Sequence, residues 1–167
     1  MINLGAIIEA RMGSSRLPGK VILEANRKPL IIHLVNRLKH STLLKKIIVA
    51  TTINKKDDIL CEILKKNNIL FYRGSENDVL GRIYFAAKKF KLKNILQITG
   101  DCPLVDPFIV SQVLKTYENN NFDFVSNANI RTYPIGMDVS VFSFKNLQKC
   151  FNLAKQKYYR EHTTLFF

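Results

Sequence analysis

Ala10-Arg11-Met12-Gly13-Ser14-Ser15-Arg16-Leu17-Pro18-Gly19-Lys20 follows a short apolar run, Leu4 to Ile8, that reads as a buried strand. Three cations, Arg11, Arg16 and Lys20, stand among two glycines and two serines. Small residues let a backbone approach a ligand closely. Exposed N–H groups with flanking cations make a cradle for phosphate oxygens, the chemistry of a nucleoside triphosphate site. The loop is not a Walker A sequence: Gly13 and Gly19 are six apart, and Val21 rather than Ser or Thr follows Lys20. It reads as a phosphate loop of another lineage, with a basic surface turn as the competing reading.

Ile95 to Thr99 reads as another buried strand and runs into Gly100-Asp101-Cys102-Pro103-Leu104-Val105-Asp106-Pro107. Open α/β sheets place ligand chemistry at the C-terminal ends of their central strands. Beside a triphosphate, Asp101 would hold Mg²⁺, a hard cation that takes oxygen ligands and shares its shell with water and phosphate. The alternative for Asp101 is a turn residue capping the next helix, but Asp106-Pro107 is the better helix start. Cys102 reads as a small buried residue, or as part of the site.

The elements alternate along the chain. Asn3 to Ala10 is a strand. Leu30, Ile31, Leu34, Val35 and Leu38 give Pro29 to His40 a helical period. Lys46 to Thr52 is a strand, and Asp57-Asp58 opens a helix at its electropositive end. Ile69 to Tyr72 is a third strand, and Asn77 or Asp78 caps a helix from Val79 to Phe90. Asn94 to Thr99, Phe122 to Ser126 and Val139 to Phe144 are further strands, the last alternating as if half exposed. Helices are expected over Phe108 to Tyr117, over Asn146 to Lys155, and briefly from Tyr158. This order predicts an α/β fold: three layers, α/β/α, around a Rossmann-like, mostly parallel sheet. The motifs after the first four strands then share one edge.

The 167 residues suit one domain with a sizeable core. No apolar run approaches the ~20 residues of a membrane span, and the N-terminus lacks a signal peptide's charged lead-in. Three scattered cysteines, Cys61, Cys102 and Cys150, fit a reducing cytoplasm and show no metal-ligand spacing. The net charge of +13 raises nucleic-acid binding as a reading. Most of the excess is Lys in pairs such as Lys45-Lys46 and Lys88-Lys89, with no aromatic-interleaved stripe to stack bases. Neither a nucleic-acid nor a membrane partner is expected.

Five ordered segments carry a family resemblance across nearly the whole chain. They are the loop 10–20; Arg73-Gly74-Ser75-Glu76-Asn77-Asp78-Val79-Leu80; Thr99-Gly100-Asp101-Cys102-Pro103-Leu104; Tyr133-Pro134-Ile135-Gly136-Met137-Asp138-Val139-Ser140-Val141-Phe142; and Tyr159-Arg160-Glu161-His162-Thr163. Together they resemble the sugar cytidylyltransferases, which make CMP-activated acid sugars, in their SpsF-like branch, named for a spore coat polysaccharide biosynthesis protein. The resemblance implies a sheet of the nucleotide-diphospho-sugar transferase type. It also implies a Mg²⁺-dependent transfer of CMP from CTP to an acid sugar with release of pyrophosphate, in surface-polysaccharide synthesis by a cytoplasmic homodimer.

It implies site roles as well. Arg11 and Lys20, with Arg16, would neutralise the triphosphate, helped by the backbone of Gly13, Ser14, Ser15 and Gly100, and Asp101 would hold the metal. Arg73, Gly74 and Ser75, with Ala50, Thr51 and Thr52, would lie near the cytosine or ribose; an ion pair with Asp78 is the alternative for Arg73. Arg131, Tyr133, Asp138, Arg160, Glu161 and His162 fall to the sugar side. Arg160-Glu161-His162 could equally form a subunit contact. Residues 1–167 are expected to be a single nucleotidyltransferase domain lacking the family's further C-terminal stretch, which carries a second acidic metal ligand. A nucleotide-binding remnant without turnover, and a nucleotidyl- or glycosyltransferase-like protein using another nucleotide, are the alternatives.

Overall fold

The first strand shows why the chain folds as it does. In the computed structural model, which describes residues 3–130 and 132–167, β1 (Leu4–Glu9) is apolar on both faces and buried up to Ile8. A strand covered on two sides must be apolar at successive positions, as in parallel sheets. A 3₁₀ turn (Lys20–Ile22) and a small hairpin, β2 (Glu24–Ala25) with β3 (Lys28–Pro29), follow the loop after β1. Then come α1 (Leu30–Leu38), β4 (Lys46–Thr52), α2 (Asp58–Lys66), β5 (Leu70–Gly74), α3 (Val79–Lys89) and β6 (Asn94–Thr99). The rest is α4 (Pro107–Glu118), β7 (Phe124–Ser126), β8 (Ser140–Ser143), α5 (Phe144–Leu153), α6 (Lys157–Glu161) and a last 3₁₀ turn (Thr163–Phe166).

The main sheet has the order β5-β4-β1-β6-β8-β7. β1 pairs in parallel with β4 and β6, and β4 with β5. β8 runs antiparallel to both of its neighbours. The chain winds outward from β1 through β4 to β5, then returns to lay β6 on the other side of β1. Right-handed crossovers therefore put α1 and α2 on one face and α3 on the other. Two cores result. Ala6 and Ile8 pack with residues of α1, α2 and α4, whereas Ile7 packs with α3 and α5. This is the expected three-layer α/β/α fold.

Caps mark the helix starts. The Asp78 carboxylate accepts the Gly81 amide at 2.8 Å, the Asp106 carboxylate the Phe108 amide at 2.7 Å, and the Ser143 hydroxyl the Asn146 amide at 3.1 Å. Ser143 moves the start of α5 forward to Phe144, two residues before the expected one.

One strand departs from expectation. Residues 140–142 of β8 are buried, not half exposed. β8 lies inside the sheet, and both its faces are covered. Phe142 alone, fully buried, contributes roughly 3 kcal/mol of transfer free energy. The β2–β3 hairpin was not expected. Its turn places Asn26 (φ 49°) and Arg27 (φ 59°) in the left-handed region, and no glycine marks it.

Candidate active site

A cleft of about 360 Å³ opens at the carboxyl ends of β1 and β6, where the strand order reverses. Gly100 brings the two strand ends together. Its amide donates to the Glu9 carbonyl at 2.7 Å, and a Cβ there would stand 2.8 Å from Ala10 Cβ and 2.9 Å from that carbonyl.

The loop after β1 closes on itself and is tied to β4. The Met12 carbonyl accepts from the Ser14 amide at 3.0 Å and the Gly19 amide at 2.9 Å, with Gly19 at φ +72°. The Asp57 carboxylate, 1% exposed, accepts the Met12 amide at 2.7 Å, the Thr52 amide at 3.1 Å and the Thr52 hydroxyl. Asp57 thus fastens the loop after β1 to the end of β4.

Arg11 pairs with Glu76, Nη1 to Oε1 at 3.1 Å, and Asn54 Nδ2 donates to the other Glu76 oxygen at 3.2 Å. Lys20 pairs with Asp101. Desolvation pushes the Asp101 carboxyl up, but hydrogen bonds from Lys20 and Thr99 and the Lys20 charge outweigh it and hold Asp101 below its ordinary range. Asp101 is therefore ionised at neutral pH. It offers one hard oxygen donor set at the cleft mouth, which fits Mg²⁺ if phosphate oxygens and water complete the shell. Among the described residues no group of three His, Cys, Asp or Glu side chains gathers to hold an ion.

The cleft floor holds charged groups that the sequence did not single out. Glu9 ends β1 on the α3 face, and its carboxylate accepts from Gln97 Nε2, which also reaches Thr163 Oγ1 at 2.6 Å. Burial raises Glu9 to about 6 against the Arg82 charge and the Gln97 hydrogen bond, while the Asp101 charge pushes it further up. Arg82, on α3, is 3% exposed and lines the cleft. Burial lowers its pKa, and the Glu9 charge opposes that. The signals were faint. Arg82 is a cation inside the apolar stripe of Leu80, Ile83 and Tyr84, Glu9 is a lone acid closing an apolar strand, and Asp57 passed as a helix-dipole acid.

Of the expected residues, Arg11, Ser14, Ser15, Arg16 and Lys20 line the cleft from the loop side. Gly100 and Asp101 line it from β6, and Glu161 and His162 from the C-terminal segment. Gly13 adjoins Glu76, with its Cβ position 3.0 Å from Oε1.

Others stand elsewhere. Ala50, Thr51 and Thr52 are at most 1% exposed and lie beneath the surface, so their side chains do not face a ligand. Arg73 is a clamp: Nε donates to the Thr52 carbonyl at 2.8 Å, Nη2 to the Asn54 carbonyl at 2.9 Å, and Nη1 pairs with Asp58, not Asp78, at 2.7 Å. Gly74 accepts the Ile53 amide at 2.9 Å, and the Ser75 hydroxyl accepts the Asp78 amide at 3.2 Å, so both hold this same corner. Arg160 turns away from the cleft. It grips Asp78 through Nε at 2.9 Å and through Nη2, donates from Nη1 to the Phe151 carbonyl at 2.9 Å, and lies over the Phe151 ring. Tyr133 sits at a second hollow between α4 and β7, its hydroxyl 3.4 Å from Gln112. Asp138 is near enough for its charge to raise the Cys102 thiol, after burial and Asp101. Arg131 lies outside the described residues.

A family model described as cytidylyltransferase matches residues 5–167. The spore coat polysaccharide biosynthesis protein SpsF of Bacillus subtilis is 32% identical over 167 residues, which is 96% of this chain and 68% of that protein. A 3-deoxy-manno-octulosonate cytidylyltransferase of Hydrogenovibrio crunogenus is 30% identical over 146 residues, 84% of this chain and 57% of that one. The solved structure of a cytidylyltransferase from Leptospira borgpetersenii superposes with a TM-score of 0.93 at 36% identity, covering 98% of this chain and 69% of that one. The chain spans 57% to 68% of the length of the first curated relatives it matches. Among the described residues no helix is long and apolar enough to cross a membrane.

Proposed function

Because the chain belongs to the cytidylyltransferase family, we propose that it transfers CMP from CTP to a hydroxyl of an acid sugar, releasing pyrophosphate, as a step in building a surface polysaccharide. One observation carries the reading: Arg11, Arg16, Lys20 and Arg82 converge on the cleft at the β1 and β6 strand ends. Transfer of this kind is chiefly positioning and charge neutralisation. Arg11 and Lys20 pair with Glu76 and Asp101, and each exchanges its acid for phosphate oxygens when CTP binds. Arg16 adds a third charge, and the amides of Gly13 and Ser15 add fixed dipoles. Asp101 holds Mg²⁺, which supplies Lewis-acid polarisation of phosphate oxygen when bound.

Arg73 acts by position. It fixes the Thr52 and Asn54 carbonyls, and with Gly74 and Ser75 it shapes the corner that meets the base and ribose. Glu161 and His162 face the acceptor. The same proposal takes residues 1–167 as one nucleotidyltransferase domain, working as a homodimer in the cytoplasm.

The test is titration calorimetry of CTP, UTP, ATP and GTP with Mg²⁺ against wild type and Arg11→Ala, followed by pyrophosphate release with 3-deoxy-manno-octulosonate and other acid sugars. The expected result is selective CTP binding, weakened roughly tenfold or more by the substitution, and release only with CTP. Equal binding of all four nucleotides, or none, overturns the reading.

A further inference from the structure

We infer that Arg82 and Arg11 together form a seat for a substrate oxyanion, with Arg82 as its buried half. The inference rests on the nucleotidyl-transfer reading and adds a binding residue to it.

Arg82 is a guanidinium that the described residues satisfy only in part. It is 3% exposed, yet no carboxylate among the described residues comes within the 4.0 Å of an ion pair. Its Nη1 donates to the Ser75 carbonyl at 2.6 Å and the Glu76 carbonyl at 3.4 Å, while its Nε is buried without a hydrogen-bond partner. Nη2, which is not fully buried, makes no hydrogen bond to a described residue. A buried arginine with unused donors is costly unless something else completes its pairing.

The surroundings say what that partner is. Arg82 lines the same cleft as Arg11, and a single residue holds both: Glu76 takes Arg11 on its carboxylate at 3.1 Å and Arg82 on its backbone carbonyl. The two like charges oppose each other, and the Arg11 charge helps to lower Arg82. The acids whose charges reach Arg82 are Glu9, Asp57 and Asp78. Of these, Glu9, whose charge acts most strongly on Arg82, is used by Gln97, Asp57 by Met12 and Thr52, and Asp78 by Arg160 and Gly81. An oxyanion between Arg11 and Arg82 would meet planar donors from both sides and relieve the repulsion. A phosphate of the nucleotide and the carboxylate of an acid acceptor share this chemistry.

Calorimetry with four probes separates these sources: inorganic pyrophosphate, CTP, cytidine and 3-deoxy-manno-octulosonate, against wild type, Arg82→Lys and Arg82→Gln. Loss of roughly tenfold or more in pyrophosphate and CTP affinity in Arg82→Gln, with cytidine unchanged, supports the seat and assigns it to phosphate. The same loss confined to 3-deoxy-manno-octulosonate supports it and assigns it to the acceptor. Unchanged binding of all four probes overturns it. Should Arg82→Gln not fold, the ¹⁵N-labelled wild type decides, with the Arg82 Nε–H signal assigned by its disappearance in Arg82→Lys. A signal that shifts on adding an anion supports the seat, and one that ignores every anion overturns it. Pyrophosphate carries no base or sugar, so a protein that binds it through Arg82 but never turns over CTP retains the seat while losing the proposed function.

Discussion

The Asp57 carboxylate accepts the Met12 amide at 2.7 Å, linking two segments 45 residues apart. The same carboxylate takes the Thr52 amide at 3.1 Å and the Thr52 hydroxyl, so one buried acid joins the loop after β1 to the end of β4. Asp57→Ala leaves these donors without an acceptor. Leaving a buried donor unpaired costs about 1–3 kcal/mol, so a loss of roughly 3 kcal/mol is expected in urea unfolding. CTP affinity should fall as well, because Met12 sits beside Arg11. A variant with unchanged midpoint and unchanged affinity would show that the loop holds its shape without Asp57.

Glu9 makes stability depend on pH in an unusual sense. Its pKa rises from 4.5 to about 6 on folding, chiefly through desolvation. The folded protein therefore binds this proton more tightly than the unfolded chain. Below about pH 4.5 the carboxyl is protonated in both states and costs nothing. As pH climbs through 6, the folded state must ionise a desolvated acid, and about 2 kcal/mol is lost by neutrality. Glu9→Gln should thus match wild type near pH 4 and exceed it by up to about 2 kcal/mol at pH 8. Parallel stability profiles from pH 4 to 8 would refute this account.

Arg160 and Asp78 form a two-pronged contact that fixes the C-terminal segment on the N-terminus of α3. The side chains are 20% and 32% exposed, so solvent screens the pair only in part. A double-mutant cycle with Arg160→Met and Asp78→Asn should give a coupling energy of roughly 1–2 kcal/mol. Because α6 carries Glu161 to the cleft, acceptor KM should rise in Arg160→Met while CTP affinity stays close to wild type. A coupling below about 0.3 kcal/mol, the level of independent sites, would remove the tether from the account.

The parts of the site legible in the sequence are those made by local chemistry. Arg11 to Lys20 and Gly100-Asp101 announce themselves because glycines, serines and charges crowd the ends of apolar strands, and both ends meet in the cleft. Parallel strands read well for the same reason: burial on two faces gives β1, β4 and β6 apolar centres, Leu4–Ile8, Ile47–Ala50 and Ile95-Leu96 with Ile98. β8 misled because its serines at 140 and 143 imitate an exposed face, whereas Ser140 is satisfied inside the sheet by the Ser126 hydroxyl at 3.0 Å. Arg73 and Arg160 misled differently. An arginine near a ligand loop looks like a ligand arginine, and only the fold shows that Thr52, Asn54, Asp58 and Asp78 occupy them. Asp57 stayed hidden because Met12, which it holds, lies 45 residues away, and Arg82 because the Glu9 and Arg11 charges it faces stand on a distant part of the chain.

Gly100 and Gly13 both stand in loops that follow strands of the main sheet, yet they should respond very differently to alanine. At Gly100 the new methyl would meet the Ala10 Cβ at 2.8 Å and the Glu9 carbonyl at 2.9 Å. Both belong to the chain at the end of β1, whose register with β6 continues through Glu9 and Thr99. Neither can retreat without parting the strands that form the cleft floor. At Gly13 the neighbour within 4 Å is Glu76 Oε1 at 3.0 Å, the tip of a side chain with freedom to swing. Gly100→Ala should therefore cost about 1–3 kcal/mol, as overpacking does, and weaken CTP binding because Asp101 moves with it. Gly13→Ala should change stability by less than about 1 kcal/mol; its effect should appear instead as a weaker hold of Glu76 on Arg11. Paired urea melts and CTP titrations of the two variants read this directly. Equal losses at both positions would mean that loop flexibility, rather than the close approach of β1 and β6, is what glycine supplies at Gly100.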